Sequence, residues 1–426
     1  MDQELMRLKD FLDTSVSVYH AAAALERELI AAGYEKLREQ DEWNLVPGGA
    51  YYLTRGGTAV LAFRIPEGAP TGFMMSASHA DRPTYKLKEH GELSGTYTRL
   101  TVEPYGGMLA ATWLDRPLSV AGRVLVETEH GVEARLLNLD RDLLLIPNVA
   151  IHMNRKANDG YSWNPAVDLL PLAGGKDAAG AMDRLLEEAA GGKILGKDLY
   201  LYIRQKAVVW GVQEEFLSSA ALDDLQCAWG CTQGFLHAKP SRAIPVLCVF
   251  DSEEVGSNSV QGAASMLLET TLERICKARN LELSRMLAQS FMVSADNAHA
   301  VHPNHPEFAD PTNAPVVNGG VVLKFNAAQR YATDALSAAV FRKICAGAQV
   351  PVQTYYNRAD MPGGSTLGHI SIMHVSVPTA DIGMAQLAMH SSFETAGTAD
   401  ARHLQTAMTA YYGTALTEQN GLYELA

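Results

Sequence analysis

Glu253 and Glu254 stand side by side where an apolar run, Ile244–Phe250, ends, and Gly256, Ser257 and Asn258 follow them. Neighbouring carboxylates at a strand end can divide two tasks: one binds a metal ion, the other moves protons on a water that the ion activates. Successive side chains diverge, so the two need not compete for one position. Other metal-capable side chains also follow apolar segments. His79 and Asp81 come after residues 72–78, Asp223 lies early in 217–235, Asp296 follows 290–294, and His390 lies beyond 374–377. Two imidazoles and several carboxylates, with no thiolate, suit zinc, with cobalt or manganese as alternatives, and suit two ions sharing one carboxylate. Such a pair holds an attacking hydroxide and polarises the carbonyl under attack. His79 and Asp81 are two residues apart and face the same way in an extended chain, so Asp81 can accept a hydrogen bond from the far ring nitrogen of His79.

The elements that must position these groups follow from apolar periodicity. Leu5, Leu8, Phe11 and Leu12 predict one helix and residues 19–32 a second, stopped at Gly33. Short strands are expected at 50–54, 58–65 and 72–78. From 93 onward the texture is β-rich, with strands at 97–102, 118–127 and 133–137, a helix at 176–190 and a strand-like 199–212. Beyond it strand and helix alternate: helix 217–235, strand 244–250, helix 260–278, strand 290–294, strand 321–325, helix 332–345, strand 352–356, strand 374–377 and helix 404–416. Buried strands between helices predict an α/β fold with a mixed, largely parallel sheet flanked by helices. In such a sheet ligands bind beyond the C-terminal ends of the strands, where the metal-capable residues fall. The expected organisation is a discontinuous domain of residues 1–92 and 208–426, interrupted by an inserted β-rich domain at 93–207.

Length and composition bound the function. The 426 residues exceed one ordinary domain. Apolar residues make up 47% and the net charge is −13, which argues against nucleic acid and anionic membrane as partners. The first residues carry no basic stretch leading into an apolar run, so no secretory leader is expected. No run is apolar over the length of a membrane span. The five cysteines, an odd number set mostly in apolar surroundings, point to a reduced, cytoplasmic protein.

Over nearly its whole length the chain resembles the aspartyl aminopeptidase family of metallopeptidases. The segments that carry the resemblance are 78–81, 105–107, 112–116 and 146–155, then 222–225, 251–257, 294–296 and 298–304. Residues 326–333, 364–366, 381–383 and 387–391 complete it, all in the family's order. The resemblance implies a co-catalytic zinc peptidase fold in which His79, Asp223 and Asp296 hold one ion. Asp223, Glu254 and His390 hold the other, with Asp223 bridging. It makes Glu253 the general base and Asp81 the residue orienting His79. His299, Lys324 and Gly364 fall in motifs that line the substrate site. It further implies that His152, on the inserted domain, reaches the site of a neighbouring subunit, that this domain mediates dimerisation, and that dimers assemble into a tetrahedral dodecamer. Near the pocket the chain departs from the family: Met108 and Ala110 replace a glycine and a tryptophan, Arg82 follows Asp81 where small residues are usual, Gly363 replaces a frequent cysteine, and Asp224 replaces an asparagine.

The activity expected is removal of the N-terminal residue of peptides, with acidic first residues favoured because Lys324 lies in an apolar strand and wants an anionic partner. The alternatives are a neutral or apolar preference, or a carboxypeptidase or amidohydrolase on the same fold. The last would need a cation for a terminal carboxylate, for which Arg330 and Arg358 are candidates. A catalytically inert scaffold would have lost a ligand or the base, and all are present.

Overall fold

A computed structural model describes residues 3–426; Met1 and Asp2, part of the N-terminal run, lie outside the described residues. A nine-stranded sheet forms the centre. In spatial order its strands are Glu35–Lys36, Ala50–Arg55, Ala59–Arg64, Ile244–Phe250, Phe73–His79, Phe291–Ala295, Thr379–Gly383, Val321–Phe325 and Val352–Tyr356. Four adjacent strands, from Ile244–Phe250 to Thr379–Gly383, run parallel, and antiparallel pairs flank them. Every residue of Phe73–His79, Ile244–Phe250 and Phe291–Ala295 is buried, because helices cover both faces. Pro245 is tolerated inside this sheet because its strand pairs with Ala59–Arg64 only from Val246 onward.

One face carries Gln3–Thr14, Val18–Ala31, Leu222–His237, Ala335–Gly347 and Asp400–Tyr412; the other carries Leu267–Ala278, Leu283–Leu287 and Leu367–Ser371. Leu222–His237 is buried from Leu222 to Phe235. Asp400–Tyr412 lies so close to it that a Cβ on Gly230 would meet Leu404 Cδ2 at 2.5 Å and one on Gly234 would meet Met408 Cβ at 2.4 Å. Asp334 and Ser337 form a reciprocal capping box at the start of Ala335–Gly347.

A second sheet is wholly antiparallel, in the order Gly131–Asn138, Leu118–Thr128, Ile194–Ile203, Thr84–Leu93, Tyr97–Tyr105, Leu172–Gly175. It has its own core, in which Tyr85 and Trp113 meet edge to face at 5.1 Å. Thr84–Leu93 is its fourth strand, so this sheet draws on residues before 93.

Several expected elements differ. The helix at 217–235 begins only at Leu222, because Phe216–Ser219 is a strand. The helix at 260–278 shortens to Leu267–Ala278. Residues 257–264 instead fold back on themselves, so tightly that a Cβ on Gly262 would lie 2.2 Å from the Ser257 carbonyl oxygen. The strand expected at 374–377 is a turn, and the strand is Thr379–Gly383 just past Pro378. Residues 199–212 split between the end of Ile194–Ile203 and the separate strand Val208–Trp210. The last helix is Asp400–Tyr412, and Leu416 opens a terminal hairpin. The largest difference is a third, unanticipated sheet: Val208–Trp210, Phe216–Ser219, Glu394–Gly397, Ala385–Leu387, Ala298–His299.

Candidate metal centre

The parallel strands end level with one another. His79 closes Phe73–His79 and pairs in register with Phe250, so the turn carrying Glu253 and Glu254 starts beside it. Asp296 follows Phe291–Ala295, the neighbour on the other side. Asp223 and Asp224 sit at the head of Leu222–His237 with non-helical φ/ψ, which takes their side chains off the helix surface, and both are buried. The third sheet brings the remaining residue: the loop between Ala385–Leu387 and Glu394–Gly397 holds His390.

These residues converge. Ligand atoms of His79, Asp223 and Asp296 all lie within 4.8 Å of one another, and so do those of Asp223, Glu254 and His390. Asp223 faces both imidazoles with different oxygens, Oδ1 3.7 Å from His79 Nε2 and Oδ2 3.4 Å from His390 Nε2. Glu254 Oε2 is also 3.4 Å from His390 Nε2. Glu253 belongs to a third grouping, with His79 and Glu254, and not to the His390 group.

Asp81 does more than orient an imidazole. His79 Nδ1 lies 3.2 Å from the Asp81 carbonyl oxygen and 3.3 Å from Oδ1, which turns Nε2 toward Asp223. The Asp81 carboxylate also accepts the backbone N–H groups of Glu253 and Glu254, each at 3.1 Å, and the Tyr105 hydroxyl at 2.8 Å. One side chain therefore fixes both His79 and the glutamate turn.

The donor set fits divalent cations. Asp223 Oδ1 and Glu254 Oε1 are buried with no hydrogen-bond partner in the protein. An unsatisfied buried acceptor costs about 1–3 kcal/mol, more when charged, and a cation removes that cost. Crowding shows in the acidities as well. Burial, then the carboxylates of Asp296, Asp81 and Asp223, push Glu253 up to about 8 against the opposing pull of His79. Burial and Asp223 raise Glu254 well above its ordinary value, and burial takes Asp296 to about 6. Burial would raise Asp223 too, but His390 and His79 outweigh it and its pKa is lowered.

The other expected site residues fall in three places. Lys324 is brought to the cluster but is buried against Asp296: its ammonium donates to the Asp296 carbonyl at 2.6 Å and lies 3.7 Å from Oδ2. His299 and Gly364 line a cavity of about 280 Å³ beside the cluster, together with Tyr355, Arg358 and Gln386. His152 is exposed, in a turn of the long connection at 147–171, and makes no hydrogen bond or ion pair among the described residues. Arg330 donates to the Gly363 carbonyl, and Arg358 pairs with Asp360.

Two supporting residues escaped the sequence reading, and a third, Asp224, stood there only as a departure from the family. Asp224 Oδ2 accepts from His79 N–H at 3.2 Å. Asn297 donates to the Leu222 carbonyl at 2.8 Å and to Gln386 at 3.0 Å. Glu394 accepts from the backbones of Asp223 and His390. Asp224 and Asn297 each adjoin a metal-capable aspartate, which was a usable signal; Glu394 had none.

Comparison with known proteins gives a consistent answer. The family model described as "Aminopeptidase I zinc metalloprotease (M18)" matches residues 11–412. A "Probable M18 family aminopeptidase 2" of Clostridium acetobutylicum is 39% identical over 422 residues, covering 95% of this chain and 98% of that protein. Among solved structures, a chain of "the Ape4 and Nbr1 complex" superposes with a TM-score of 0.93 at 33% identity, covering 96% of this chain and 85% of that one. The "S. cerevesiae mApe1 dodecamer" gives 0.85 at 26% identity, with 96% of each chain covered. A match across almost the entire chain, joined to a buried cluster whose donors suit zinc, places this protein in the M18 family of zinc aminopeptidases as a metal-dependent peptide hydrolase.

Proposed function

We propose that the protein removes the N-terminal residue of peptides with two divalent ions, zinc in the first place. His79, Asp223 and Asp296 would hold one, and Asp223, Glu254 and His390 the other. The observation that carries this reading is Asp223, whose two oxygens each face a different imidazole. Bound ions supply an acidified water and a Lewis acid for the scissile carbonyl. The chain supplies the rest. Glu253, held at its backbone by Asp81, takes a proton on its carboxylate from the attacking water and returns it to the leaving amine. Carboxylates of the cluster offer partners to the peptide's free amino group. Lys324 keeps the backbone at Asp296 in place.

Metal analysis with an aminopeptidase assay tests the reading as a whole: two equivalents of divalent metal and release of N-terminal residues are expected, and a chain that binds none and releases none rejects it. Glu253→Gln should keep its metal and lose roughly 10²–10⁴-fold in kcat; near wild-type turnover would remove Glu253 from the mechanism.

For the first residue we favour acidic side chains, because His299, His302, His305 and Arg358 line the cavity, the last two already paired with Glu307 and Asp360. Lys324 supports this less than expected, since its ammonium is engaged by Asp296. That engagement favours a second reading, in which the wall formed by Phe308, Tyr355 and Met361 takes a neutral side chain. A panel of N-terminal aminoacyl substrates separates the two.

We also propose that the region built on the second sheet pairs subunits and that the pairs form a dodecamer, the assembly named for the mApe1 structure. Val149, Ile151, Met153 (83% exposed) and Val167 crowd the 147–171 connection, and His152 lies among them free to meet a neighbouring site. Mass in solution checks this; a fully active monomer would remove the role of His152. All five cysteines are free and buried, which supports a reducing, cytoplasmic setting. Among the described residues no helix is long and apolar enough to cross a membrane.

A further inference from the structure

Glu394 opens the strand Glu394–Gly397 in the third sheet and is 1% exposed. Its two oxygens serve two different segments. Oε2 accepts the backbone N–H of Asp223 at 3.0 Å, and Oε1 accepts the backbone N–H of His390 at 2.7 Å. Asp223 comes from the head of a central helix and His390 from a loop more than 160 residues later. Both contribute atoms to the group that includes Glu254.

His390 sits at φ +67°, and Asp223 leaves the helix it opens for an extended conformation, two residues after Ala221 at φ +58°. A non-glycine residue at positive φ is disfavoured and persists only where its surroundings over-determine it. Glu394 supplies that determination, because in the chain it is the hydrogen-bond partner of both N–H groups. Its own position is set by the sheet, where it pairs in register with Ser219, four residues before Asp223.

We propose that Glu394 is a positioning residue, a carboxylate clamp whose two hydrogen bonds hold Asp223 and His390 so that their side chains meet on one ion. It touches neither the ion nor substrate. The proposal rests on the cluster being a metal site, but it assigns to Glu394 a function that site geometry alone does not require. A buried acid kept only for packing would act on stability; a clamp acts on one metal position and spares the other in part. Both positions share Asp223, yet the His79–Asp296 side is also held by Asp81, Asp224 and Lys324.

The test is Glu394→Gln in the full chain. Glutamine keeps the shape but has one accepting oxygen, so its amide NH₂ faces one of the two N–H groups and one bond is lost. Zinc affinities measured by competition with a chromogenic chelator should split: one of the two equivalents weakens roughly 10–100-fold, the usual cost of losing a group that orients a ligand. The other changes much less. Absorption of the cobalt-loaded protein should change for one equivalent only, and kcat should fall with KM little altered. Glu394→Asp keeps the charge but is one methylene shorter and cannot span both donors; it should show the same selective weakening, and it serves if the glutamine variant does not fold. Either variant, folded and binding both equivalents with wild-type affinity and spectrum, overturns the clamp. Equal weakening of both equivalents, in step with lowered Tm, overturns it as well. Wild-type protein that binds no metal would instead reject the metal site, so the two failures are distinguishable.

Discussion

The two histidines of the cluster are held in different ways. His79 is the last residue of a central strand, its side chain is 1% exposed, and strands buried on both faces flank it. Its placement is a property of the main sheet. The His390 side chain is 34% exposed and sits in a loop at φ +67°. Its placement depends on hydrogen bonds from elsewhere: Glu394 holds its N–H, Leu109 N–H donates to its carbonyl at 3.0 Å, and Thr112 bonds to Ser392 two residues later. One half of the site is built by the core, the other by a scaffold of polar contacts. Part of that scaffold is the segment joining Tyr97–Tyr105 to Leu118–Thr128 in the second sheet. There Tyr105 holds Asp81, and Gly106 passes so near the glutamate turn that a Cβ on it would come within 3.0 Å of Glu254 Cβ. The second sheet is thereby tied to the less rigid half of the centre.

This division can be broken by substitution. The largest effect is expected from Asp223→Ala, which removes the carboxylate both halves share: both equivalents of metal should be lost and activity should fall to background. Retention of one tight equivalent, read by metal analysis after dialysis, would show that Asp223 does not bridge. Asp81→Asn comes next. Asparagine keeps the shape but loses one carboxylate oxygen and the charge beside His79, whose Nδ1 lies 3.3 Å from Oδ1, so a drop of roughly 10–100-fold in metal affinity is expected, chiefly at the His79 position. A larger drop at the His390 position would reverse the comparison.

The same division explains what the sequence revealed. Fully apolar strands such as Ile244–Phe250 and Phe291–Ala295 announce a sheet buried on both faces, and the metal-capable residues that follow them could be picked out directly. The mixed, helix-flanked sheet was legible for that reason. The third sheet was not. Its strands are two to four residues long, and Leu217, Ser218 and Ser219 merge by pattern into the apolar helix that follows. Pairings such as Ser219 with Glu394 join residues far apart in sequence, which periodicity cannot detect. Glu394 reads as one acid among polar neighbours until the fold closes around it. Lys324 shows the converse: its type and apolar setting correctly demanded an anion, but only coordinates show that Asp296 provides one.

A medium effect concerns pH and the metal-free protein. Burial raises Glu253 to about 8 and Asp296 to about 6. A carboxyl raised in the folded state binds its proton more tightly there than in the unfolded chain. Its favourable contribution is complete below the ordinary value, 4.5 for Glu253 and 3.8 for Asp296, and is lost as pH rises through the raised one, about 8 and about 6. Chelated protein should therefore lose several degrees of Tm between pH 5 and pH 8. The metal-loaded protein should lose less, because cations neutralise the carboxylates that crowd one another. Equal pH dependence with and without metal would mean that these acids do not face the ions.

The smallest expected effect is the sharpest probe of how the second sheet supports the site. Thr112 Oγ1 accepts from Ser392 N–H at 2.9 Å and donates to the Leu109 carbonyl at 2.7 Å, while Ser392 Oγ donates to the Thr112 carbonyl at 2.6 Å. Thr112→Val keeps the shape and the last of these bonds but removes the first two. Each lost bond is worth about 1 kcal/mol, and Thr112 is only half-buried, so a change of roughly fivefold is expected. It should appear in the affinity of one metal position and in kcat, with global stability moved little. Because Thr112 reaches His390 through the loop and, among the described residues, makes no hydrogen bond to His79, the weakened position must be the same one that Glu394→Gln weakens. If Thr112→Val instead lowers the affinity of the other position, the loop is not what separates the two halves, and the support from the second sheet acts through Tyr105 and Asp81.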